Sequence, residues 1–136
     1  MTLIDTNVLL DILTNDPVWT RWSLQQMDRA AIAGPLIIND IIYAELAVGF
    51  PTIEALNAAV EAIGLKPSPM PQEALFLAAK VFKRYRARGG TRTGVLPDFF
   101  IGAHAAVTGA VLLTRDVRRI RGYFPSVSIV CPEDRI

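Results

Sequence analysis

Four carboxylates fall at positions where an α/β protein can use them for chemistry. Asp5 closes the apolar run Thr2-Leu-Ile and is followed by Thr6-Asn7, which open a helical pattern; Asp116 stands just past a second run, Val111-Leu-Leu-Thr-Arg. Asp98 lies in the first turn of a helical pattern opened by Pro97, a residue suited to that turn. Glu45 interrupts a helix face whose other members, at three and four residues' distance, are Ile41, Ile42, Val48 and Gly49, so it is expected to point inward. An ionised carboxylate there is costly unless paired or bound to a metal, and no Lys or Arg lies between Arg29 and Lys66. A long-range ion pair to an arginine is the other way to satisfy it.

Singly, these acids have ordinary explanations. Asp5 and Asp116 can cap helices, although Thr6 or Asn7 could cap in place of Asp5, and any acid in a first turn is favoured by the helix dipole. Together they say more. Carboxylates gathered at one edge repel each other and raise their own pKa values unless a cation offsets the charge, and hard oxygen ligands suit Mg²⁺ or Mn²⁺. Metal-assisted phosphodiester chemistry is the natural use, with the ion orienting a water and stabilising charge on the phosphate.

The elements that must position these acids are legible as short apolar runs at Thr2–Ile4, Pro35–Ile38, Ala110–Leu113 and Val127–Val130, with a weaker one at Gly64–Pro67. Helical patterns separate them, over Val8–Leu13, Trp19–Ala33, Asp40–Val48, Ile53–Ile63, Glu73–Arg88 and Asp98–Val107. Strands without polar alternation, separated by helices, predict a three-layer α/β/α domain with a parallel sheet covered on both faces. In such sheets the site lies outside the carboxyl ends of the strands. At 136 residues, with 51% hydrophobic and 20% charged residues, no repeats and no Gly/Ser linker, the chain reads as one compact domain over residues 1–136. One segment, Arg88–Gly94, has a flexible composition.

Charge is divided unevenly. Residues 1–68 carry three Lys and Arg against eight Asp and Glu, and residues 69–136 carry eleven against five, although the net charge is only +1. Most of the positive charge lies in Lys80–Arg92, which reads as a solvated helix face or a phosphate track, and in Arg115–Arg121. From the second cluster Arg115, Arg118, Arg119 and Arg121 are expected to hold a nucleic-acid backbone. The single cysteine, Cys131, excludes an internal disulfide framework, lacks the setting of a nucleophile and is expected to be buried. The longest uncharged stretch, Phe99–Thr114, is too short and too interrupted to span a bilayer, and the N-terminus lacks the features of a secretory signal, so a cytoplasmic protein is expected.

In order and spacing, Ile4-Asp-Thr-Asn-Val-Leu-Leu-Asp11, Ala44-Glu-Leu46, Pro97-Asp-Phe-Phe-Ile-Gly-Ala-His-Ala105, Leu113-Thr-Arg-Asp116 and Tyr123-Phe-Pro125 resemble the PIN-domain ribonucleases, and among them the VapC-type toxins of toxin–antitoxin pairs. The resemblance implies a five-stranded parallel sheet and Mg²⁺-dependent endonucleolytic cleavage of RNA, with Mn²⁺ as a substitute ion, in a homodimer inhibited by a small antitoxin. It also implies that Asp5 and Asp98 are the central metal ligands, that Glu45 and Asp116 complete the acidic pocket with Asp116 also serving the metal, and that Asn7 and Thr114 orient this shell.

Asn39 stands where the family usually has Ser or Thr, Asp40 adds an acid of open role, and His104 takes a position that is usually small. Six residues from Asp98, His104 lies about 120° away around the helix and is expected to pack rather than react. Trp19 and Trp22 share a helix face for core or partner packing or for base stacking, and with Phe50 they form a candidate docking surface. A haloacid-dehalogenase-type phosphohydrolase needs a second acid where Asn7 stands, and a receiver domain needs a late lysine where none follows Lys83. A PIN-like nuclease that is not a toxin, or a catalytically silent interaction module, remains the alternative.

Overall fold

Strands of three residues or fewer cannot hold a sheet by their own hydrogen bonds, so this one depends on what buries it. The computed structural model describes residues 1–92 and 94–132. In chain order the elements are β1 (Thr2–Ile4), α1 (Thr6–Leu13), α2 (Thr20–Ala33), β2 (Leu36–Ile38), α3 (Asp40–Ala47), α4 (Ile53–Ile63), β3 (Leu65–Pro67), α5 (Gln72–Ala87), α6 (Leu96–Thr108), β4 (Val111–Leu113), α7 (Arg118–Tyr123) and β5 (Ile129–Val130). The strands form one all-parallel sheet in the order β3-β2-β1-β4-β5, flanked by helices as the sequence predicts. All residues of β1 and β2 are buried, which requires cover on both faces. Chain order turns back between β1 and β4, so that is where a crevice opens beyond the strand ends.

Register decides what lines that crevice. Leu3 pairs with Ile37 on one side and Ile4 with Leu113 on the other, so Asp5, Asn39 and Thr114 stand in one row just past the sheet. The Asp5 amide still donates to the Leu113 carbonyl at 2.9 Å, which fixes the start of the row.

Element boundaries differ from the sequence reading where local hydrogen bonds decide. Helix α1 begins two residues early because the Asp5 carboxylate itself caps it, accepting from the Thr6 amide at 2.7 Å. Asn39 caps α3 as expected, accepting from the Ile42 amide. Helix α6 opens at Leu96 with Pro97 in its first turn. Val117, not Asp116, is the N-cap residue of α7, and no side chain caps it. Strand β5 is shorter than expected because the Val127 amide bonds the Phe124 carbonyl in a turn. Helices α4 and α6 end on Gly64 and Gly109, whose left-handed backbone turns the chain directly toward β3 and β4. Of the segment expected to be flexible, residues 88–92 fold back on Tyr85: its carbonyl takes the Gly90 amide and its hydroxyl the Arg92 amide. Thr93 lies outside the described residues.

The core gathers Leu3, Ile4, Ile37, Ile38, Leu112 and Leu113 of the sheet with Val8, Leu9, Ile42, Leu46 and Phe99 from the helices. Phe99 is fully buried among Tyr85, Tyr123 and Phe124, at ring separations of 5.2–6.2 Å, and so joins α5, α6 and α7. Among the described residues no helix is long and apolar enough to cross a membrane.

Gly102 lets α7 close on α6. A Cβ there would stand 2.5 Å from Cδ2 of Phe124 and 3.1 Å from Cδ1 of Ile120. Glycine to alanine inside a helix ordinarily stabilises by about 0.5–1 kcal/mol, whereas overfilling a packed core costs about 1–3 kcal/mol. Gly102→Ala is therefore expected to lower stability by about 1–2 kcal/mol in urea unfolding; a raised midpoint would mean that α7 yields freely.

Candidate functional site

Beyond the carboxyl ends of β1 and β4 lies a hollow of about 250 Å³ lined by Asp5, Thr6, Asn7, Leu10, Glu45, Asp98, Ile101, Asp116, Arg119 and Ile120. It brings together all four acids singled out in the sequence. Each comes from a different segment: Asp5 from the end of β1, Glu45 from the middle of α3, Asp98 from the first turn of α6, and Asp116 from the link between β4 and α7.

Asp5 is the most constrained. Its carboxylate accepts from the Thr6 amide, from the Thr114 hydroxyl at 2.7 Å and from Asn7 Nδ2 at 3.3 Å. Asn7 also reaches the Thr114 hydroxyl at 3.3 Å and accepts the Arg115 amide on Oδ1. Thr114 is fully buried and takes the Asp116 amide on its hydroxyl oxygen at 3.1 Å. Asn7 and Thr114 thus orient Asp5 and tie it to the loop bearing Asp116. Burial pushes the Asp5 carboxyl up from 3.8 to about 6; the Thr114 and Thr6 hydrogen bonds oppose the rise, and the charges of Asp98 and Glu45 add to it.

Glu45 is half-buried and turned into the hollow as its helix face predicts. Its partner is the Thr6 hydroxyl, which donates to Oε1; among the described residues it has no ion pair. The sequence offers Thr6 only as a possible helix cap, and its position directly after Asp5 is the one signal that it belongs to the site. Asp98 is raised by burial, and the neighbouring charges of Asp116 and Glu45 act in the same direction, against the Arg119 guanidinium. Nη1 of Arg119 stands 2.9 Å from Asp98 Oδ2, a contact the spacing of the two residues did not reveal. Asp116 is exposed at the rim.

The four arginines expected on a nucleic-acid backbone divide. Arg118 and Arg121 are exposed, Arg121 with Nη2 3.6 Å from the sulfur of Cys131, which is half-buried rather than buried as expected because it lies in the tail beyond β5. Arg119 lines the hollow. Arg115 turns away: Nε and Nη2 hold both oxygens of Asp11, which is 3% exposed and also accepts from Ser23, while the guanidinium lies 4.9 Å from the centre of the Trp19 ring. That interaction explains Asp11, an acid left without a role by the sequence reading, and makes Trp19 and Trp22 packing residues, in edge contact at 6.0 Å. On α5, Lys80, Lys83, Arg84 and Arg86 form a solvated face.

His104 is fully buried outside the hollow, as expected for packing. Asn39 donates through Nδ2 to its Nδ1 at 3.0 Å, and burial holds the imidazole below its ordinary pKa. The bond leaves the proton on Nε2, which has no partner among the described residues. It also ties the cap of α3, which carries Glu45, to α6, which carries Asp98.

All the acidic donors of the hollow are hard oxygens, and two of them are raised by burial and mutual repulsion, which is the chemistry a divalent cation relieves. Among the described residues no three acid, imidazole or thiol groups converge on one coordination point, so an ion here would complete its shell with water. That habit suits Mg²⁺, which takes one or two carboxylates and keeps several waters.

The raised Asp5 carboxyl has a consequence for stability. It holds its proton more tightly in the folded chain than in the unfolded one, so it costs no stability below about pH 4 and costs its full amount above about pH 6. In chelator, Asp5→Asn is expected to match the wild type in thermal unfolding near pH 4 and to exceed it by about 1–3 kcal/mol near pH 7. A gain that is the same at both pH values would show that its charge is not the cause.

Comparisons with known proteins agree with this fold. VapBC2 from Rickettsia felis, bound to a DNA fragment from its promoter, superposes with a TM-score of 0.74 at 16% identity, over 97% of this chain and 98% of that one. A toxin–antitoxin complex from Klebsiella pneumoniae gives 0.68 at 22% identity over 99% and 100%, and FitAcB from Neisseria gonorrhoeae 0.63 at 21% identity over 95% and 96%. No curated protein matches the sequence. At these identities the likeness is one of fold. A model of the PIN domain, typically a nuclease and generally a binder of divalent metals, matches residues 2–124. That match runs from the first residue of β1 to the residue after α7, through every element that lines the hollow, and the chain therefore belongs to the PIN-domain family.

Proposed function

We propose that residues 1–136 form a single nuclease domain, a Mg²⁺-dependent endoribonuclease that acts in the cytoplasm as the toxin of a toxin–antitoxin pair. The observation that carries the reading is the convergence of Asp5, Glu45, Asp98 and Asp116 on one hollow beside the Asn7–Thr114 pair. Membership of a family of nucleases and full-length likeness to chains from toxin–antitoxin complexes support it.

Asp5 and Asp98 are proposed as the inner holders of the ion, Asp116 as a holder through water or at a second ion, and Glu45 as the remaining acid of the pocket. Bound there, Mg²⁺ or Mn²⁺ would orient a water and stabilise charge on the phosphate. The chain's own residues do the rest. Thr114 and Asn7 keep Asp5 in one orientation, Thr6 does the same for Glu45, and Leu10, Ile101 and Ile120 wall the hollow with apolar surface. Attack of water on phosphorus, in line with the ribose 3′ oxygen, leaves a 5′ phosphate and a 3′ hydroxyl. Arg118 and Arg121, exposed on the same short helix as Arg119, hold the RNA backbone with it; Arg115 acts by fixing the loop through Asp11. The antitoxin and a second copy of the chain dock on a surface to which Trp19 and Trp22, besides their packing role, present their partly exposed edges together with Phe50, which lines a second hollow with Tyr43, Ala47 and Ile53.

With total RNA, cleavage is expected to require Mg²⁺ or Mn²⁺, to stop in chelator and to leave 5′ phosphate ends. Asp5→Asn and Asp98→Asn should abolish it, and Asp116→Asn should keep activity that rises with Mg²⁺. Cyclic phosphate products formed in chelator would rule out the metal mechanism; no cleavage with any ion would favour the silent interaction module.

For RNA binding, each neutralised phosphate contact removes about one unit from the slope of log affinity against log salt. Arg118→Gln and Arg121→Gln are expected to flatten the slope in filter binding. Unchanged slopes in both would make this edge of the hollow uninvolved.

A further inference from the structure

Among the described residues there are two arginine–aspartate pairs, and they are built differently. Arg115 grips both oxygens of a nearly inaccessible Asp11 through two nitrogens, with a serine hydroxyl and an indole ring completing the enclosure. Arg119 makes one contact, Nη1 to Oδ2, with an Asp98 whose side chain is 38% exposed, and its own side chain is 29% exposed. The first pair is a fixed joint. The second is half-open to water and rests on one hydrogen bond, so another cation can replace it.

Its location gives the replacement meaning. Arg119 lines the same hollow as the four acids, and Asp98 is the one acid there with a cationic partner among the described residues. Asp5 and Glu45 accept only from neutral groups. The backbone of Arg119 is held beside α6, because Phe124 and Ile120 lie against Gly102 and so pin α7 there, while its side chain remains free to swing.

We propose that Arg119 is a resident competitor for the metal: its guanidinium holds the Asp98 oxygen that a divalent ion needs, and the ion binds by displacing it. The inference rests on the metal-dependent reading above and adds a tuning element to it. The ion-free pocket keeps part of its charge neutralised, and the affinity for the ion is set below what the four acids alone would give.

The test is titration of the full chain with Mn²⁺ in the absence of RNA, following free Mn²⁺ by electron paramagnetic resonance. Arg119→Gln is expected to bind Mn²⁺ roughly three- to fivefold more tightly than the wild type, the gain expected when a half-exposed ion pair no longer competes. Arg84→Gln, the same charge change at an exposed site on α5, is expected to stay within about twofold. Equal or weaker binding by Arg119→Gln overturns the inference, and so does an equal gain in Arg84→Gln, which would reduce the effect to net charge. The metal reading stands in either case, because the ion still binds. If neither the wild type nor Arg119→Gln takes up Mn²⁺, the metal reading fails and the inference with it.

Discussion

The pairing of β1 with both neighbours sets everything at the functional edge of this protein. Three residues, hydrogen-bonded to β2 on one side and β4 on the other, place Asp5 level with Asn39 and Thr114. Side chains alternate along a strand, so a slip of one residue would turn Asp5 to the other face and bring Ile4 to the edge. Such short strands hold register only because their faces are buried, as Leu3, Ile4, Ile37, Ile38, Leu112 and Leu113 are. The core thereby specifies the site.

The same fold treats its acids in two ways. Asp11 is deeply buried and satisfied by Arg115 and Ser23, a joint that binds α1, α2 and the loop after β4. Asp5 is oriented just as firmly but only by hydroxyl, amide and peptide donors, which fix its direction without cancelling its charge. The two acids therefore differ in the charge of their partners more than in their burial. The network through Asn7 links the two, since its amide oxygen holds the backbone of Arg115 while its nitrogen reaches Asp5.

Much of this was readable in advance. An apolar run closed by an acid is a local pattern, and it located β1 and β4 together with Asp5 and Asp116. Glu45 betrayed itself through helical periodicity, which also needs only near neighbours. What escaped were pairings between distant segments: Thr6 with Glu45, 39 positions apart; Arg119 with Asp98, 21 apart; and Arg115 with Asp11, 104 apart. A basic cluster looks uniform in sequence because spacing along the chain says nothing about which guanidinium the fold turns inward. The start of β5 differs for a related reason, since a turn closed by Phe124 and Val127 takes residues the apolar pattern assigns to a strand, and Cys131 is left half-buried in the tail beyond that strand. His104 was legible as a packing residue, but its bond to Asn39 was not.

The ends of the sheet constrain how this protein meets others. At one edge β3 carries Lys66 and Pro67 within its three residues, and at the other β5 pairs through Ile129 and Val130 alone. Proline has no amide hydrogen, and a two-residue strand presents too few peptide groups to template a further one. Among the described residues, both edges of the sheet therefore resist growth by strand addition, and what the fold offers a protein partner is side-chain surface rather than a generic backbone ladder.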